Sequence, residues 1–301
     1  MKAIVTGGVG FIGSHLVDRL IDTGWDVVII DKKDLTSEPR HVNVLNPKAK
    51  FLQLDITEMD PASGVPVQLG GTDIIFHMAA LARVQPSIDN PMVYHDTNIN
   101  GTLNMLMIAK NLSVKRFVYS ASSSCYGDTD IVPTPETAPK KPMSPYAMQK
   151  YVGEQYCELF SLIYGLDTVS LRYFNVYGNR MPTTGAYALV MAIFKKQAEE
   201  GLPLTITNDG KQRRDFTHVD DVVDANILAA EYKGNLDGTA FNIGNGNNHS
   251  INDVANMIGG EKQYGEKRFE PFETLANNTM AKKVLGWEPK GDLEKYIKEN
   301  F

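Results

Sequence analysis

A tyrosine and a lysine stand four residues apart in SPYAMQKY, at positions Tyr146 and Lys150. Residues with this spacing share one face of a helix, about one turn apart. A phenol with its ordinary pKa near about 10 is a poor base at neutral pH, and a neighbouring ammonium group stabilises the phenolate. We therefore expect Lys150 to lower the pKa of Tyr146 and make it a base. The alternative is a helix that carries a surface lysine by chance.

A cluster of serines lies upstream of this pair, in SASSSCYG at residues 120–127. The cluster follows an apolar run that predicts a strand, and ligand-binding groups of parallel sheets lie at the carboxyl ends of strands. A serine hydroxyl at such a place can exchange hydrogen bonds with a substrate hydroxyl that is being oxidised. A polar turn capped by serine side chains is the alternative.

Three glycines, Gly7, Gly10 and Gly13, lie in VTGGVGFIGSHL between the first predicted strand and the first predicted helix. Glycines permit a tight turn there and let backbone N–H groups approach a pyrophosphate at the helix N-terminus. The spacing GxxGxxG, preceded by a strand and followed by a helix, favours a dinucleotide site over an ordinary glycine-rich turn.

Acidic residues end the second and third predicted strands. The carboxylate of Asp31 can accept hydrogen bonds from a ribose hydroxyl, and its charge opposes a 2′-phosphate, which favours NAD over NADP. Lys32 and Lys33 weaken that preference. Asp55 could bind the adenine amino group in the same way, although a polar strand end explains it nearly as well.

Strand-like runs alternate with helix-length segments in the first half of the chain. The runs are KAIVT, DVVIID, KFLQLD, DIIFHMA, KRFVYSAS and DTVSLRY, and the candidate helices include residues 12–23, 91–111 and 145–164. This alternation predicts crossover connections and a parallel sheet that is covered by helices on both faces. The expected fold is therefore α/β, a Rossmann-type doubly wound sheet with a smaller C-terminal α/β substrate lobe.

The pattern changes after about residue 173. We expect residues 1–173 to form the NAD-binding domain, with residues 215–243 returning to it, and residues 174–214 and 244–301 to form a smaller lobe that binds the substrate. The lobe should contain helices at 188–200 and 278–285, the second ending at Gly286, and a third helix capped by Ser250.

Composition narrows the classes of function. The chain has 301 residues, 43% hydrophobic and 22% charged, and a net charge of −6, which argues against a partner that is a nucleic acid or an anionic membrane. It has no run of about 18 apolar residues, and its first ten residues lead from a short strand into glycines, so we expect neither a membrane span nor a secretion signal. With two cysteines and no metal-ligand spacing, we expect a cytoplasmic protein without a metal.

Taken together, these segments resemble the extended short-chain dehydrogenase/reductase superfamily, and in particular its NAD-dependent UDP-sugar 4-epimerases. The resemblance covers nearly the whole chain and rests on TGGVGFIGSHL, HMAALARV, NINGT, SASSSCYGD, SPYAMQKYVGE, LRYFNVYGNR, QRRDFTHVDDV, FNIGNG and KVLGWEP. The run from SSSCYGD to RYFNVYGNRMPTTGAYALV is similar to the UDP-N-acetylglucosamine 4-epimerase branch, beside the UDP-glucose 4-epimerases.

The resemblance implies a mechanism. Tyr146 would remove the proton from the sugar 4-hydroxyl while C4 gives a hydride to NAD; the 4-keto sugar then turns over, and the hydride returns to its other face. Ser122 would bind the reacting hydroxyl, and Lys150 would bind the nicotinamide ribose. The implied NAD contacts are Gly7, Gly10, Phe11, Ile12, Gly13, Asp31, Lys32, Asp55, Ile56, Ala79, Ala80, Asn98, Ser120, Tyr146, Lys150 and Tyr173. The implied substrate contacts are Arg83, Ser122, Ser123, Ser124, Tyr146, Asn175, Leu189, Val190, Thr205, Arg214 and Arg268.

Other nucleotide-sugar enzymes of the superfamily remain the alternative: 4,6-dehydratases, decarboxylases and reductases. Dehydratases carry an acidic pair at the places of Ser123 and Ser124, and decarboxylases usually carry a glutamate at Ser124. Serine is a poor acid and a poor base, so epimerisation of a UDP-hexose or UDP-N-acetylhexosamine is favoured.

Two residues depart from the family pattern. Phe272 stands near the place of a second diphosphate-binding arginine in KRFEPFETLAN, where Arg268 could compensate. Arg83 in ALARVQPS stands where a small or polar residue is common; it could select an acidic or unusual sugar, or be a salt-bridged loop residue. We also expect His77 to be a neutral core residue. The resemblance further implies a homodimer, in which helices 91–111 and 145–164 form a four-helix bundle with the partner.

Overall fold

A seven-stranded parallel sheet forms the centre of the computed structural model, which describes residues 1–35, 44–182, 190–267 and 270–301. Its strands are β1 (Lys2–Thr6), β2 (Asp26–Asp31), β3 (Lys50–Gln53), β4 (Ile74–His77), β5 (Arg116–Ser122), β6 (Thr168–Tyr173) and β11 (Ala240–Ile243). Their order is β11-β6-β5-β4-β1-β2-β3, with every pair parallel. All six predicted strands are confirmed.

Helices cover both faces of this sheet. They are α1 (Phe11–Asp22), α2 (Val84–Asp89), α3 (Pro91–His95), α4 (Gly101–Leu112), α5 (Pro145–Tyr164) and α7 (Val219–Glu231), with a π-helical turn at Asp96–Asn100 between α3 and α4. Alternate residues of β1 enter opposite cores, Val5 with Leu16 and Val222, and Ile4 with Leu106. A strand that is buried on both faces reads as a continuous apolar run, which is why these strands could be predicted.

Chain order reverses between β4 and β1, because β1 leads to β2 on one side and the later strands continue from β4 on the other. Open α/β sheets bind ligands in the crevice at the carboxyl ends of strands at such a reversal. The structure therefore confirms the doubly wound fold and marks where a dinucleotide would bind.

A smaller group of elements lies mostly C-terminal. Its helices are α6 (Val190–Glu199), α8 (Ile251–Ile258), α9 (Thr279–Leu285) and α10 (Leu293–Asn300), and its strands are β7 (Val176–Tyr177), β8 (Leu204–Ile206), β9 (Arg213–Asp215), β10 (Thr217–His218), β12 (Asn248–Ser250) and β13 (Lys262–Tyr264). The strands pair as β7 with β10, β9 with β12 and β8 with β13.

Ser250 and Asp253 cap α8 reciprocally, the Ser250 hydroxyl accepting from the Asp253 N–H at 3.0 Å and the Asp253 carboxylate accepting from the Ser250 N–H at 2.9 Å. The predicted N-cap is thus confirmed, and Gly286 ends α9 in a left-handed conformation as expected. A separate apolar core joins α6, β8, α8 and α10 through residues such as Phe194, Ile206, Val254 and Ile297. Within the ranges that the structure describes, no helix has both the length and the apolar character needed to cross a bilayer.

Candidate active site

The turn from β1 into α1 requires its glycines. Gly7 has φ +70°, and a Cβ there would lie 2.9 Å from the Ala79 nitrogen. A Cβ at Gly13 would lie only 2.2 Å from the Gly7 carbonyl oxygen, so α1 packs on the turn too closely for any side chain. Gly10 precedes the first helical residue, Phe11. This is the compact backbone that lets helix N–H groups face a pyrophosphate.

Asp31 lies at the carboxyl end of β2, next to this turn. Its side chain is buried and accepts from the Val9 N–H at 3.3 Å and from the Lys33 N–H at 3.2 Å. Two carboxylate oxygens offer about four acceptor positions, so both ribose hydroxyls of a nucleoside can still be accommodated. The glycine turn and this buried carboxylate together fit a dinucleotide.

Lys32 forms a salt bridge with Asp55, and the distance between the lysine Nζ and the carboxylate Oδ2 is 3.3 Å. Burial opposes the ionisation of Asp55, but hydrogen bonds from Thr57 and the charge of Lys32 outweigh burial and lower the pKa of that carboxyl. The pair keeps a charged carboxylate at the end of β3, next to Ile56. The Ile56 carbonyl accepts from the Asn104 side chain at 3.0 Å.

The loop after β4 carries two more of the predicted NAD contacts, Ala79 and Ala80, and a third, Asn98, lies in the π-helical turn and binds this loop. The Ala79 N–H donates to the Thr6 hydroxyl at 3.1 Å, which ties this loop to β1. The Asn98 side chain accepts from the Leu81 N–H at 2.8 Å and donates to the Leu81 carbonyl at 2.9 Å. The loop is therefore held firmly along the reversal point of the sheet.

Tyr146 and Lys150 lie in the first turns of α5, as predicted. Ser144 caps this helix by accepting from the Ala147 N–H at 3.2 Å, and Pro145 occupies its first position. Lys150 is buried, and its Nζ donates to the Ser120 carbonyl of β5 at 2.8 Å. Helix α5 thus brings the phenol and the ammonium to the carboxyl end of β5.

The charges that act on Tyr146 include that of Arg83, a residue outside the tyrosine–lysine pair. Burial raises the pKa of Tyr146, and it is opposed by a hydrogen bond with Ser122 and by the positive charge of Arg83. Burial also lowers the pKa of Lys150 to about 7. Lys150 Nζ donates to the Ser120 carbonyl, and the expectation that this lysine, aided by an oxidised nicotinamide ring, favours the phenolate of Tyr146 stays a prediction.

The serine cluster forms a short hydrogen-bonded chain at the end of β5. Ser122 accepts from the Ser124 N–H at 3.2 Å and from the Ser124 hydroxyl at 2.9 Å, within a 3₁₀ turn that begins at Ser123. Both donors point toward Ser122, so its own hydroxyl hydrogen is left for Tyr146 or a substrate oxygen. The Ser120 hydroxyl instead lies 3.1 Å from the hydroxyl of Tyr173 on β6, whose pKa burial raises to about 12.

Two of the predicted substrate residues, Asn175 and Arg214, form hydrogen bonds with neighbouring segments of the protein. The Asn175 side chain donates to the Asp215 carbonyl and to the Thr274 hydroxyl, both at 3.2 Å. Arg214, the predicted phosphate ligand, is buried and its Nη2 lies 2.6 Å from Oε2 of Glu270. Glu270 was not predicted from the sequence. The one feature that could have indicated it is an acidic residue inside the segment that departs from the family pattern.

The remaining predicted contacts are only partly described. Val190 begins α6, and the exposed Thr205 on β8 accepts from the Gln197 side chain at 2.8 Å. Among the hydrogen bonds of the described ranges, none links either residue to Tyr146. Leu189 and Arg268 lie outside the described residues.

His77 is a core residue. It is fully buried, and its ring nitrogens lie 2.9 Å from the Thr6 hydroxyl and 3.0 Å from the Thr102 hydroxyl. Burial, assisted by the charge of Lys150, lowers its pKa to about 3. The ring is therefore neutral at physiological pH, as expected from the sequence.

Comparison with known proteins agrees with this geometry. A putative UDP-glucose 4-epimerase of Methanocaldococcus jannaschii is 35% identical over 98% of this chain and 95% of its own length. The structure of UDP-glucose 4-epimerase from Thermotoga maritima with UDP-glucose is 38% identical, covers 100% of this chain and 97% of its own, and superposes with a TM-score of 0.91.

A third protein, UDP-N-acetylglucosamine 4-epimerase from Methanobrevibacter ruminantium in complex with UDP-N-acetylmuramic acid, is 33% identical. It covers 99% of this chain and 96% of its own, with a TM-score of 0.90. The model of the NAD dependent epimerase/dehydratase family matches residues 3–244, which include the glycine turn, the serine cluster and the Tyr146–Lys150 pair. The chain belongs to the NAD dependent epimerase/dehydratase family.

Proposed function

We propose that this chain interconverts the C4 epimers of a UDP-hexose or UDP-N-acetylhexosamine through a transient 4-keto sugar, with NAD as its cofactor. The observation that carries the proposal is the meeting of Tyr146, Ser122 and Lys150 at the carboxyl end of β5, beside the glycine turn of β1. Family membership and the two 4-epimerase structures support the same reaction.

Tyr146 takes the proton of the sugar 4-hydroxyl, and Ser122 orients that hydroxyl and exchanges hydrogen bonds with the phenol. NAD, when bound at the glycine turn with its ribose on Asp31, supplies a hydride acceptor and donor for C4. In the second half of the reaction the proton that Tyr146 accepted would return to O4 and the hydride would return to C4, so the cycle would consume no reductant. Lys150, which is buried and lies one helical turn after Tyr146 on α5, would bind the nicotinamide ribose.

The serine hydroxyls that follow Ser122 favour epimerisation over loss of water. A 4,6-dehydratase needs an acid and a base near C5 and C6, and the two groups that follow Ser122 are the hydroxyls of Ser123 and Ser124. Ser124 already donates to Ser122, which makes it a support for that hydroxyl. Tyr146 and Ser122 can therefore act on the proton of O4, while Ser123 and Ser124 supply no comparable acid or base for C5.

The C-terminal lobe, residues 174–214 and 244–301, is proposed to bind the nucleotide and the diphosphate. Arg214 would bind diphosphate oxygens, since a guanidinium fork suits two of them. Glu270 holds that guanidinium in the present structure, and Arg214 Nη1 also donates to the Phe272 carbonyl at 3.3 Å. The diphosphate would therefore have to share Arg214 with Glu270 or displace it.

A turnover panel tests this function. We expect purified protein with its own NAD, and no added cofactor, to convert UDP-glucose to UDP-galactose, or UDP-N-acetylglucosamine to its C4 epimer, read by ¹H NMR of the anomeric protons. Formation of a 4-keto-6-deoxy sugar, or release of carbon dioxide from UDP-glucuronate, would instead assign the chain to the dehydratases or decarboxylases. No conversion of any UDP-sugar would contradict the proposal.

We also propose that the protein forms a homodimer through a four-helix bundle. The outer face of α5 exposes apolar side chains at a helical spacing, namely Met148, Leu159 and Ile163, with Val152 half-buried between them. Met92 and Val93 extend the same apolar character onto α3, at 70% and 56% exposed. A contiguous apolar face of this kind is typical of an interface, and a second copy offers the matching face.

Leu159→Glu should break this dimer, because each copy would place an unpaired carboxylate in the apolar interface. Light scattering is expected to give about twice the 33.3 kDa chain mass for the parent protein and a single chain mass for the variant. Leu202→Glu, at an exposed leucine of the C-terminal lobe, is the matched control and should stay dimeric. A parent protein that is monomeric would contradict the proposal.

A further inference from the structure

Two carboxylates lie on either side of one lysine at the carboxyl ends of β2 and β3. Asp31 is buried at the end of β2 and accepts from the Val9 N–H of the glycine turn at 3.3 Å. Lys32, the next residue, is exposed, and its ammonium forms a salt bridge with Asp55, with 3.3 Å between Nζ and Oδ2. The lysine that follows the proposed ribose ligand is therefore paired with a second carboxylate.

Backbone contacts fix the second carboxylate beside the first. The Asp31 carbonyl accepts from the Leu54 N–H at 3.1 Å, where β3 ends its pairing with β2. Oδ1 of Asp55 accepts from the N–H and the hydroxyl of Thr57, at 3.0 and 2.9 Å. Asp55 is therefore held in place without help from Lys32, and it presents Oδ2 to the lysine.

An unpaired Lys32 would favour a phosphate on the adenosine ribose. Proteins that bind NAD use a carboxylate near the end of the second strand for the ribose 2′-hydroxyl, whereas proteins that bind NADP use a nearby arginine for the 2′-phosphate. Lysine supplies the same charge, and this chain has both kinds of group at adjacent positions, Asp31 and Lys32. Together with Asp55, two carboxylates and one ammonium leave one net negative charge, which repels a 2′-phosphate.

We infer that Asp55 is a specificity-determining residue: by pairing with Lys32, it keeps this chain selective for NAD over NADP. The inference rests on the proposed binding of the dinucleotide at the glycine turn, with the adenosine ribose on Asp31. Asp31 alone leaves the selectivity open, because the charge of an unpaired Lys32 would offset that of the neighbouring carboxylate. The salt bridge to Asp55 removes this offset.

The salt bridge is too exposed to contribute much to stability. The side chains of Lys32 and Asp55 are 49% and 21% exposed, and ion pairs with this exposure add little to the free energy of unfolding. In Asp55→Asn, the amide oxygen can still accept from both donors of Thr57, so the loop after β3 keeps its local hydrogen bonds. The melting temperature should therefore stay close to that of the parent protein while the choice of dinucleotide changes.

A competition between the two dinucleotides tests the inference. Purified protein is equilibrated with NAD and an excess of NADP until exchange is complete and freed of unbound dinucleotide on a desalting column, and the retained dinucleotides are released and measured by chromatography. The retained ratio of NADP to NAD is expected to rise at least about tenfold in Asp55→Asn, because Lys32 becomes available to the 2′-phosphate. Changes in the adenine and diphosphate contacts cancel in this ratio, since both dinucleotides share them. High salt should reduce the gain, because Lys32 is exposed to solvent.

Two further variants assign the gain to the pair. In the Lys32→Gln background, Asp55→Asn should raise the ratio by less than about twofold, because the cation that the aspartate releases is then missing. Asp73→Asn is the matched control: Asp73 also pairs with a lysine, Lys115 at 2.7 Å, and its side chain is 24% exposed. Asp73 precedes β4, at the amino end of the sheet, so this variant should leave the ratio unchanged.

An unchanged ratio in Asp55→Asn, or an equal rise with and without Lys32, would overturn the inference. An equal rise would mean that Asp55 acts on the phosphate through its own charge and not through the lysine. A parent protein that retains neither dinucleotide would overturn the proposed function, and the inference with it. The two failures are therefore distinguishable in one measurement.

Discussion

Replacing Tyr146 with phenylalanine is expected to lower kcat at least about a hundredfold, which is the contribution of a positioned general base. The variant removes a single hydroxyl, whose described partners are Ser122 and the charge of Arg83. Its ring stays in place, and its backbone N–H still donates to Ser87 at 3.1 Å. The fold, the melting temperature and the NAD content per chain should therefore remain those of the parent protein, and all three are measured beside kcat.

Tyr151→Phe is the matched control, because Tyr151 lies on the same helix and is also half-buried. It should keep full turnover, since no role in the reaction is assigned to its hydroxyl. Full turnover in Tyr146→Phe would remove Tyr146 from the proposed role. A variant that loses its NAD together with its activity would show that the tyrosine holds the cofactor, and would leave the acid–base role without support.

The fold could be predicted from the sequence because its signals are local. The inner strands of the sheet are mostly apolar runs, since both of their faces are buried, and the first helix follows a glycine turn that only glycines can form. Strands β7 and β10 escaped prediction for the opposite reason. They have two residues each, and two residues cannot display a period.

The site could be predicted only in part, because its electrostatics depend on contacts that no spacing encodes. Lys150 binds a backbone carbonyl, Ser120, and backbone groups are the same for every residue type. The pairing of Arg214 with Glu270 joins residues 56 positions apart. Arg83 has a positive φ. A sequence indicates such a conformation where the residue is glycine, but not where it is arginine.

Gly13→Ala is expected to reduce the affinity for NAD at least about tenfold, or about 1.4 kcal/mol. A Cβ at position 13 would lie 2.2 Å from the Gly7 carbonyl oxygen and 3.0 Å from the Gly7 carbonyl carbon. Both are backbone atoms of the turn, so the turn itself has to open, and Gly7 is already fixed against Ala79 on its other side. Equilibrium binding of NAD to the stripped protein, followed by fluorescence or calorimetry, measures the loss.

A graded set of glycine variants shows whether crowding of the turn is the cause. A Cβ at Gly10 would lie 3.0 Å from the Gly7 oxygen, and one at Gly265 would lie 3.4 Å from a Thr205 methyl group, an ordinary contact far along the chain. The loss of NAD affinity should therefore be largest for Gly13→Ala, smaller for Gly10→Ala and absent for Gly265→Ala. Normal affinity in Gly13→Ala would mean that the dinucleotide does not lie on this turn. Without a dinucleotide on the turn, no common ligand would connect Asp31 at the end of β2 with Tyr146 at the start of α5. The two residues share no contact of their own among the described hydrogen bonds.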